Sequence, residues 1–414
     1  MQFKHSYILL VCVMLSACAR PGYAGAPVST ETFFVPPTTT SLPITETALP
    51  SQTTIPTITP DLSPILSPTP AISRIGITAT VWITDPLVPI LTYHQFIPGN
   101  TGASNAVKSR LDDFQNELQT LYDRGFSLVS LESWLNGNLV VARDRRPLIL
   151  TMDDLYFNDQ LTLTPEGEPD PETGIGVLWQ FYRAHPDFGF HIALFATLGD
   201  KLYANPDDPK WQDYLAQAIA WGIEHDAKPY NHTYTHAMLD KNAPADILWQ
   251  LQMNDNYLRR LLERIKRQDL IDQLGNMLAI PYGRWPASQA GINTLLNYTS
   301  PEGVPMQAIL EIDYYYRAKY LPPPYAASFD RYHIPRIVGS VAAVEYLAEI
   351  AEDFTTARQC ALGSIEEGQP VEVEYLNLLI NSAVKNHRCP YGVYIVQGFL
   401  FDVKETGIEI LNLK

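Results

Sequence analysis

The sequence predicts an α/β fold whose parallel strands close into a barrel, and two observations carry that prediction. Short apolar strand patterns alternate with amphipathic helical patterns through the middle of the chain. The polar residues His94, Asp153, Asp154 and Pro281-Tyr282-Gly283 each follow the C-terminal end of an expected strand. Barrel sites are built at that end, whereas chance would scatter polar residues over both ends.

The N-terminus reads as an export signal. Lys4 and His5 precede an apolar stretch over residues 7–15 that has the length of a signal core and is too short to span a membrane. Leu15-Ser16-Ala17-Cys18 then matches the bacterial lipobox, in which Cys18 becomes the lipidated first residue of the mature protein. Residues 1–17 are therefore expected to be a lipoprotein signal peptide. Residues 18–80 are rich in Thr, Pro and Ser, cannot bury a core, and are expected to form a disordered, semi-stiff linker. A lipid anchor followed by a stalk would hold a folded domain off a bacterial membrane, on its extracytoplasmic side.

The barrel is expected over residues 81–343. Residues 88–93 form a short buried-strand pattern ending at His94. Ser109 is placed to cap a helix carrying Leu111, Phe114, Leu118 and Leu121, which Gly125 ends. Strand patterns follow at residues 126–129 and 147–152, the second running into Asp153-Asp154. The stretch 155–189, rich in Pro, Gly and acids, either rims the site or is a surface insertion. Another strand pattern lies at 191–196, and a long amphipathic helix is expected from about 245 to 273, with Leu248, Leu251, Leu258, Leu262 and Ile265 on one side. Residues 277–280 are the strand before Pro281.

Residues 344–414 are expected to complete the barrel or form a small accessory module, with a helix at 342–354 and apolar runs at 371–373 and 391–396. Only four cysteines occur. Cys12 and Cys18 belong to the export segment, and Cys360 and Cys389 are candidates for a disulfide in an oxidising compartment. The balance of Lys+Arg 29 against Asp+Glu 45, a net charge of −16, excludes nucleic acid as a partner and tolerates neutral or cationic ones.

His232-Thr-Tyr-Thr-His236 is the most informative stretch. Two imidazoles four apart share one face if the segment is helical, close enough to hold one divalent metal. A catalytic zinc site uses three protein ligands and keeps a position open, so one further donor is needed. Asp153-Asp154 offers it. Adjacent carboxylates in a cleft repel unless a cation offsets them, and neighbouring strand residues point in different directions. The economical division gives one Asp to the metal and leaves the other as general base for the attacking water.

These residues resemble the motifs of polysaccharide deacetylases with the NodB-homology domain, carbohydrate esterase family 4. Thr151-Met152-Asp153-Asp154 is similar to the family's Thr-Phe-Asp-Asp-Gly. Asn231 to His236 is similar to its second motif, and Pro281-Tyr282-Gly283 to its third, Arg-x-Pro-Tyr-Gly. The resemblance covers residues 88–337 and implies a distorted (β/α) barrel of the NodB type. It implies Asp153 as general base, and Asp154, His232 and His236 as ligands of a divalent metal, Zn²⁺ first, with Co²⁺ or Ni²⁺ as alternatives. It also implies the Tyr282 N–H as an oxyanion donor.

Leu91-Thr92-Tyr93-His94 resembles the circularly permuted, poly-N-acetylglucosamine deacetylase-like members, which makes His94 the candidate general acid and His333 its rival. Three departures stand out. Leu155 replaces the glycine after the twin Asp. Ala279 replaces the third-motif Arg, whose charge Arg284 or Arg336 could supply instead. Asp313-Tyr314-Tyr315-Tyr316 is the nearest match to the fourth motif, as a sugar-stacking surface or as core.

The reading that follows is a metal-dependent deacetylase of N-acetylated cell-envelope or matrix polysaccharide. Its rivals are a metal-dependent amidase or O-deacetylase acting on a non-glycan acyl compound, and a non-catalytic glycan-binding lipoprotein. Retention of Asp153 speaks against the binding module, and loss of the third-motif Arg speaks mildly for it.

Overall fold

Seven apolar runs close on one another in the computed structural model. It describes residues 73–155, 159–199, 210–312 and 321–413, all within the unit Pro70–Lys414. The signal segment, Cys18, nearly all of the linker and residues 313–316 lie outside the described residues.

In chain order the first elements are β1 (Arg74–Trp82), β2 (Ile90–Tyr93), β3 (Gln95–Ile97), β4 (Lys108–Arg110), α1 (Leu111–Asp123), β5 (Phe126–Leu128), α2 (Leu131–Leu135) and β6 (Arg146–Asp154). Next come α3 (Gly174–Ala184), β7 (Ile192–Ala196), α4 (Trp211–Glu224), β8 (Ala227–Asn231), α5 (Pro244–Arg264) and β9 (Met277–Ala279). These are followed by α6 (Gln289–Leu296), β10 (Ala308–Ile312), β11 (Ile334–Val338) and α7 (Val341–Glu349). The chain ends with β12 (Arg358–Glu366), α8 (Val373–Lys385), β13 (Gly392–Val396), β14 (Phe399–Lys404) and β15 (Gly407–Asn412).

Strands β2, β11, β10, β9, β8, β7 and β6 are parallel neighbours in that order, and pairing of β2 with β6 closes the ring. The fold is thus a (β/α) barrel, with β5 added beside β6 ahead of β2. Period-two alternation sorts every strand. Along β6, Leu148, Leu150 and Met152 pack outward with Phe114 and Leu118 of α1, Leu178 of α3 and Leu215 of α4. Ile149 belongs instead to the cluster that fills the barrel, with Ile90, Ala193, Phe195, Met277, Ala279, Ala308, Leu310 and Ile334. The same parity sends Thr151 and Asp153 inward at the C-terminal end of β6, so the strand pattern itself delivers a carboxylate to the mouth of the barrel.

The C-terminal segment does not stand alone. Strand β1 pairs with β12 and β13 in an antiparallel sheet of order β12-β1-β13-β14-β15. Trp82, Val393, Ile395 and Leu400 on one face join the cluster inside the barrel, beside the early residues Ile90, Met277 and Ile334 of its strands. That sheet therefore plugs the end opposite the site. Its other face packs Ile77, Ala79, Val81, Tyr394 and Phe401 against Leu376 and Ile380 of α8.

Several local expectations are corrected. Residues 74–80, expected as linker, lie in β1: their Thr content resembles the stalk, but Ile77, Ala79 and Val81 alternate onto a buried face. Ser109 lies in β4, and Arg110 holds the N-cap position of α1 without a side-chain cap. The helix expected to reach 273 ends at Arg264, where Lys266 takes φ 61°, and Leu248 is exposed rather than on the buried side. The apolar run at 371–373 leads into α8, which Val373 opens.

Cys360 of β12 and Cys389 after α8 are joined by a disulfide with Cα atoms 5.9 Å apart. It ties the plug's edge strand to its helix across 29 residues of chain. Replacing both cysteines by serine is expected to cost about 2–4 kcal/mol in denaturant unfolding of the plug. An unchanged unfolding midpoint would show that the bridge carries no stability.

Candidate active site

The site lies where β2, β6, β8, β9 and β11 end. Arg336 of β11 is fully buried inside the barrel. Its Nη1 donates to Asp153 Oδ1 at 2.6 Å and its Nη2 to Asp153 Oδ2 at 2.8 Å, a bidentate pair. Nη1 also donates to Thr92 Oγ1 at 3.1 Å and Thr151 Oγ1 at 3.0 Å. Burial alone would push the Asp153 pKa up. The Arg336 charge and its hydrogen bonds outweigh it and hold the carboxyl well below the usual carboxylate range.

Of the two arginines expected near this carboxylate, Arg336 holds it and Arg284 does not. Arg284 is exposed and pairs with Asp240 at 3.3 Å. Ala279 contributes its backbone instead: its carbonyl accepts from His232 Nδ1 at 2.7 Å. A carbonyl cannot donate, so Nδ1 carries the proton and Nε2 keeps its lone pair. That nitrogen lies 3.5 Å from Asp154 Oδ1 and 3.9 Å from Asp153 Oδ2. Burial, the largest effect, pushes the His232 pKa down to about 3, against the pull of Asp153, so the ring is neutral and ligand-ready.

His236 Nε2 lies 3.4 Å from Asp154 Oδ1. One donor atom each from Asp154, His232 and His236 fall within 4.8 Å of one another. A tetrahedral shell with bonds of about 2.0–2.1 Å has ligand–ligand edges of about 3.3–3.4 Å. The two nitrogen–oxygen separations match such edges, and a carboxylate with two imidazoles is a zinc-type donor set. These residues therefore fit a divalent metal.

The histidine pair is not helical, which corrects the route by which it was expected to meet. Residues 232–236 form a turn after β8, with Thr233 at φ 61° and His236 at φ 51°. Asp154 (φ 75°), Leu155 (φ 51°) and Tyr282 (φ 57°) share the left-handed region. Such backbone is costly without glycine and gathers where the surroundings over-determine it. Leu155 keeps the conformation a glycine would take there and buries its side chain in the barrel's outer core.

His94 Nε2 lies 3.9 Å from Asp153 Oδ2, the oxygen that His232 Nε2 also approaches at 3.9 Å. The His94 carbonyl accepts from Gln160 Nε2 at 2.7 Å, and the same amide donates to the Asp153 carbonyl at 2.6 Å. The acidic stretch after the twin Asp therefore clamps the ends of β2 and β6, a residue-level role that sequence left open. Tyr282 is 51 % exposed, with its ring 4.5 Å from that of His236. Among the described residues its N–H has no acceptor. His333 is elsewhere: it bonds Glu311 at 2.8 Å and stacks on Trp285.

No protein-family model matches the sequence, and no curated protein matches it. Solved structures similar in chain path include the Streptococcus pyogenes deacetylase PplD in complex with acetate, at 16 % identity and TM-score 0.39, covering 61 % of this chain and 92 % of that one. IcaB from Ammonifex degensii is similar at 14 % identity and TM-score 0.41, over 65 % and 99 % of the two chains. BC0361, a polysaccharide deacetylase from Bacillus cereus, is similar at 15 % and 0.43, over 64 % and 69 %.

Replacing Arg336 with Met leaves Asp153 buried without its cation, and is expected to cost about 3–5 kcal/mol at neutral pH. The sign of the pH dependence follows. In the native protein the depressed pKa stabilises above the ordinary carboxylate pKa, and that stability is lost as pH falls below it. In the variant burial dominates and raises the pKa, so the deficit should shrink on acidification. Urea unfolding of metal-free protein at two pH values checks this, and a deficit independent of pH would contradict it.

Proposed function

We propose that this protein is a metal-dependent deacetylase acting on N-acetylated cell-envelope or matrix polysaccharide, held outside the cytoplasm by a lipid on Cys18. The observation that carries the reading is Asp153: a buried, ionised carboxylate, fixed by Arg336, and 3.9 Å from both His94 and His232. A binding module has no use for a carboxylate so held beside an Asp/His/His donor set.

Asp154, His232 and His236 would hold the metal, with Zn²⁺ the first choice for this donor set. A bound cation would supply Lewis acidity, which a base as weak as Asp153 needs in order to take a water proton. Asp153 then takes the proton of the attacking water, its orientation set by the two Arg336 bonds. The Tyr282 N–H donates to the oxyanion of the tetrahedral intermediate. His94, 3.9 Å from Asp153, gives its proton to the departing amine, and acetate leaves. A surface of net charge −16 tolerates a neutral glycan and its cationic product.

Absence of Arg at position 279 favoured a non-catalytic glycan-binding module; Arg336 on the same carboxylate supports the catalytic reading instead. The test is acetate release by residues 73–414 from a panel of chitin oligomers, poly-N-acetylglucosamine, peptidoglycan and O-acetylated glycans. Release from an N-acetylated glycan is expected, abolished by chelation, restored by Zn²⁺ or Co²⁺, and about 10²–10⁴-fold lower in Asp153→Asn. Glycan binding with no acetate from any substrate would overturn it in favour of the binding module, and release only from O-acetylated glycans would reassign the substrate.

A further inference from the structure

The turn that presents His232 and His236 has one bond of its own, Ala237 N–H to Thr233 Oγ1 at 2.9 Å, and Gly199 N–H donates to its Tyr234 carbonyl at 2.7 Å. The amides between the two histidines are held from helix α5, by polar groups among its apolar buried residues. Gln250 Oε1 accepts from the Thr235 N–H at 2.9 Å, Gln250 Nε2 donates to Thr235 Oγ1 at 2.8 Å, and the Gln250 carbonyl accepts from the Tyr234 N–H at 3.2 Å. One turn further along, Asn254 Oδ1 accepts from the Leu198 N–H at 2.9 Å and its Nδ2 donates to the Ala196 carbonyl at 3.0 Å. That carbonyl also accepts from the His232 N–H at 3.1 Å. Asp255 Oδ1 accepts from Asn231 Nδ2 at 2.6 Å, and Asn231 Oδ1 in turn accepts from the Thr233 N–H at 2.8 Å. Asp255 is braced from behind by the Tyr298 hydroxyl at 2.6 Å.

We infer that Gln250, Asn254 and Asp255 are positioning residues that preset the two histidines for the metal. The inference rests on the metal reading above and deepens it. Its physical basis is the backbone: Thr233 and His236 sit in the left-handed region, which is unfavourable without glycine and persists only where the surroundings impose it. The imposing bonds reach the amides of Thr233, Tyr234 and Thr235, between the two histidines, and come from α5 directly or through Asn231. Gln250 and Asn254 are buried at 7 % and 1 % exposure, four residues apart on the side that also carries Leu251 and Leu258. Burying amides there is unfavourable unless they are bonded, and every one of these bonds goes to the ligand turn or to the strand end beside it. Outer partners of this kind typically govern metal affinity by 10–100-fold.

The experiment is Zn²⁺ affinity by chelator competition on the folded protein, for the native chain, Gln250→Ala, Gln250→Glu, Asn254→Ala and Leu262→Val. Gln250→Ala and Asn254→Ala should bind zinc about 10–100-fold more weakly. Gln250→Glu keeps the acceptor for Thr235 and should recover most of the affinity. Leu262→Val loosens α5 in the core without touching the turn; it should lower the melting temperature and leave affinity within about twofold of native. Equal losses in Leu262→Val and Asn254→Ala, or native affinity in both alanine variants, would overturn the inference while leaving the metal reading intact. Failure of the native chain to bind one zinc would overturn the metal reading itself. Should Asn254→Ala not fold, the Gln250 pair decides alone.

Discussion

A carboxylate buried in the mouth of a barrel needs a cation, and the rest of this site is arranged around that need. Arg336 reaches Asp153 from β11 across β2, touching Thr92 on the way and Thr151 on β6. Strands β11, β2 and β6 are the consecutive neighbours that close the barrel. The ion pair therefore fastens the seam, and in doing so fixes the register that sets Asp153 inward and Asp154 beside it. A buried pair adds little net stability over an apolar replacement, but breaking it by half is expensive. The pair thus penalises any closure that leaves either charge alone.

Around this pair the backbone is held in unfavourable conformations. Five of the ten non-glycine residues with positive φ among the described residues are Asp154, Leu155, Thr233, His236 and Tyr282. They carry two of the three proposed ligands, part of the turn between the histidines and the proposed oxyanion donor. Preorganisation of this sort is sustained from outside the site: by Gln160 under β2 and β6, by the Ala279 carbonyl behind His232, and by α5 behind the histidine turn. The plug at the opposite end adds the packed floor on which the strands stand.

Much of this was legible in the sequence because periodicity and strand ends are local signals. The strand pattern of residues 147–152 foretold that the two Asp side chains part, though not which one faces inward, and the placement of His94, Asp153 and Pro281 after strands foretold the barrel. Other features are not local. Arg336 lies 183 residues from Asp153, and only the closure of the barrel brings them together. Ala279 acts through a carbonyl that any residue would provide. The histidine spacing fits a helix and a turn equally well, since both can bring side chains four apart into reach. Strand β1 was hidden because its Thr residues continue the stalk's composition, and its partners lie at the far end of the chain. Gln250 and Asn254 did leave a signal: two amides spaced four apart on the apolar side of a helix.

The most direct test of the account is X-ray absorption at the zinc edge of stoichiometrically loaded protein, alongside His232→Ala. A first shell of nitrogen and oxygen at about 2.0–2.1 Å is expected, with the outer-shell scattering of two imidazoles, reduced to one imidazole in the variant. A shell containing sulfur, a six-oxygen shell without imidazole, or a spectrum unchanged in His232→Ala would contradict it.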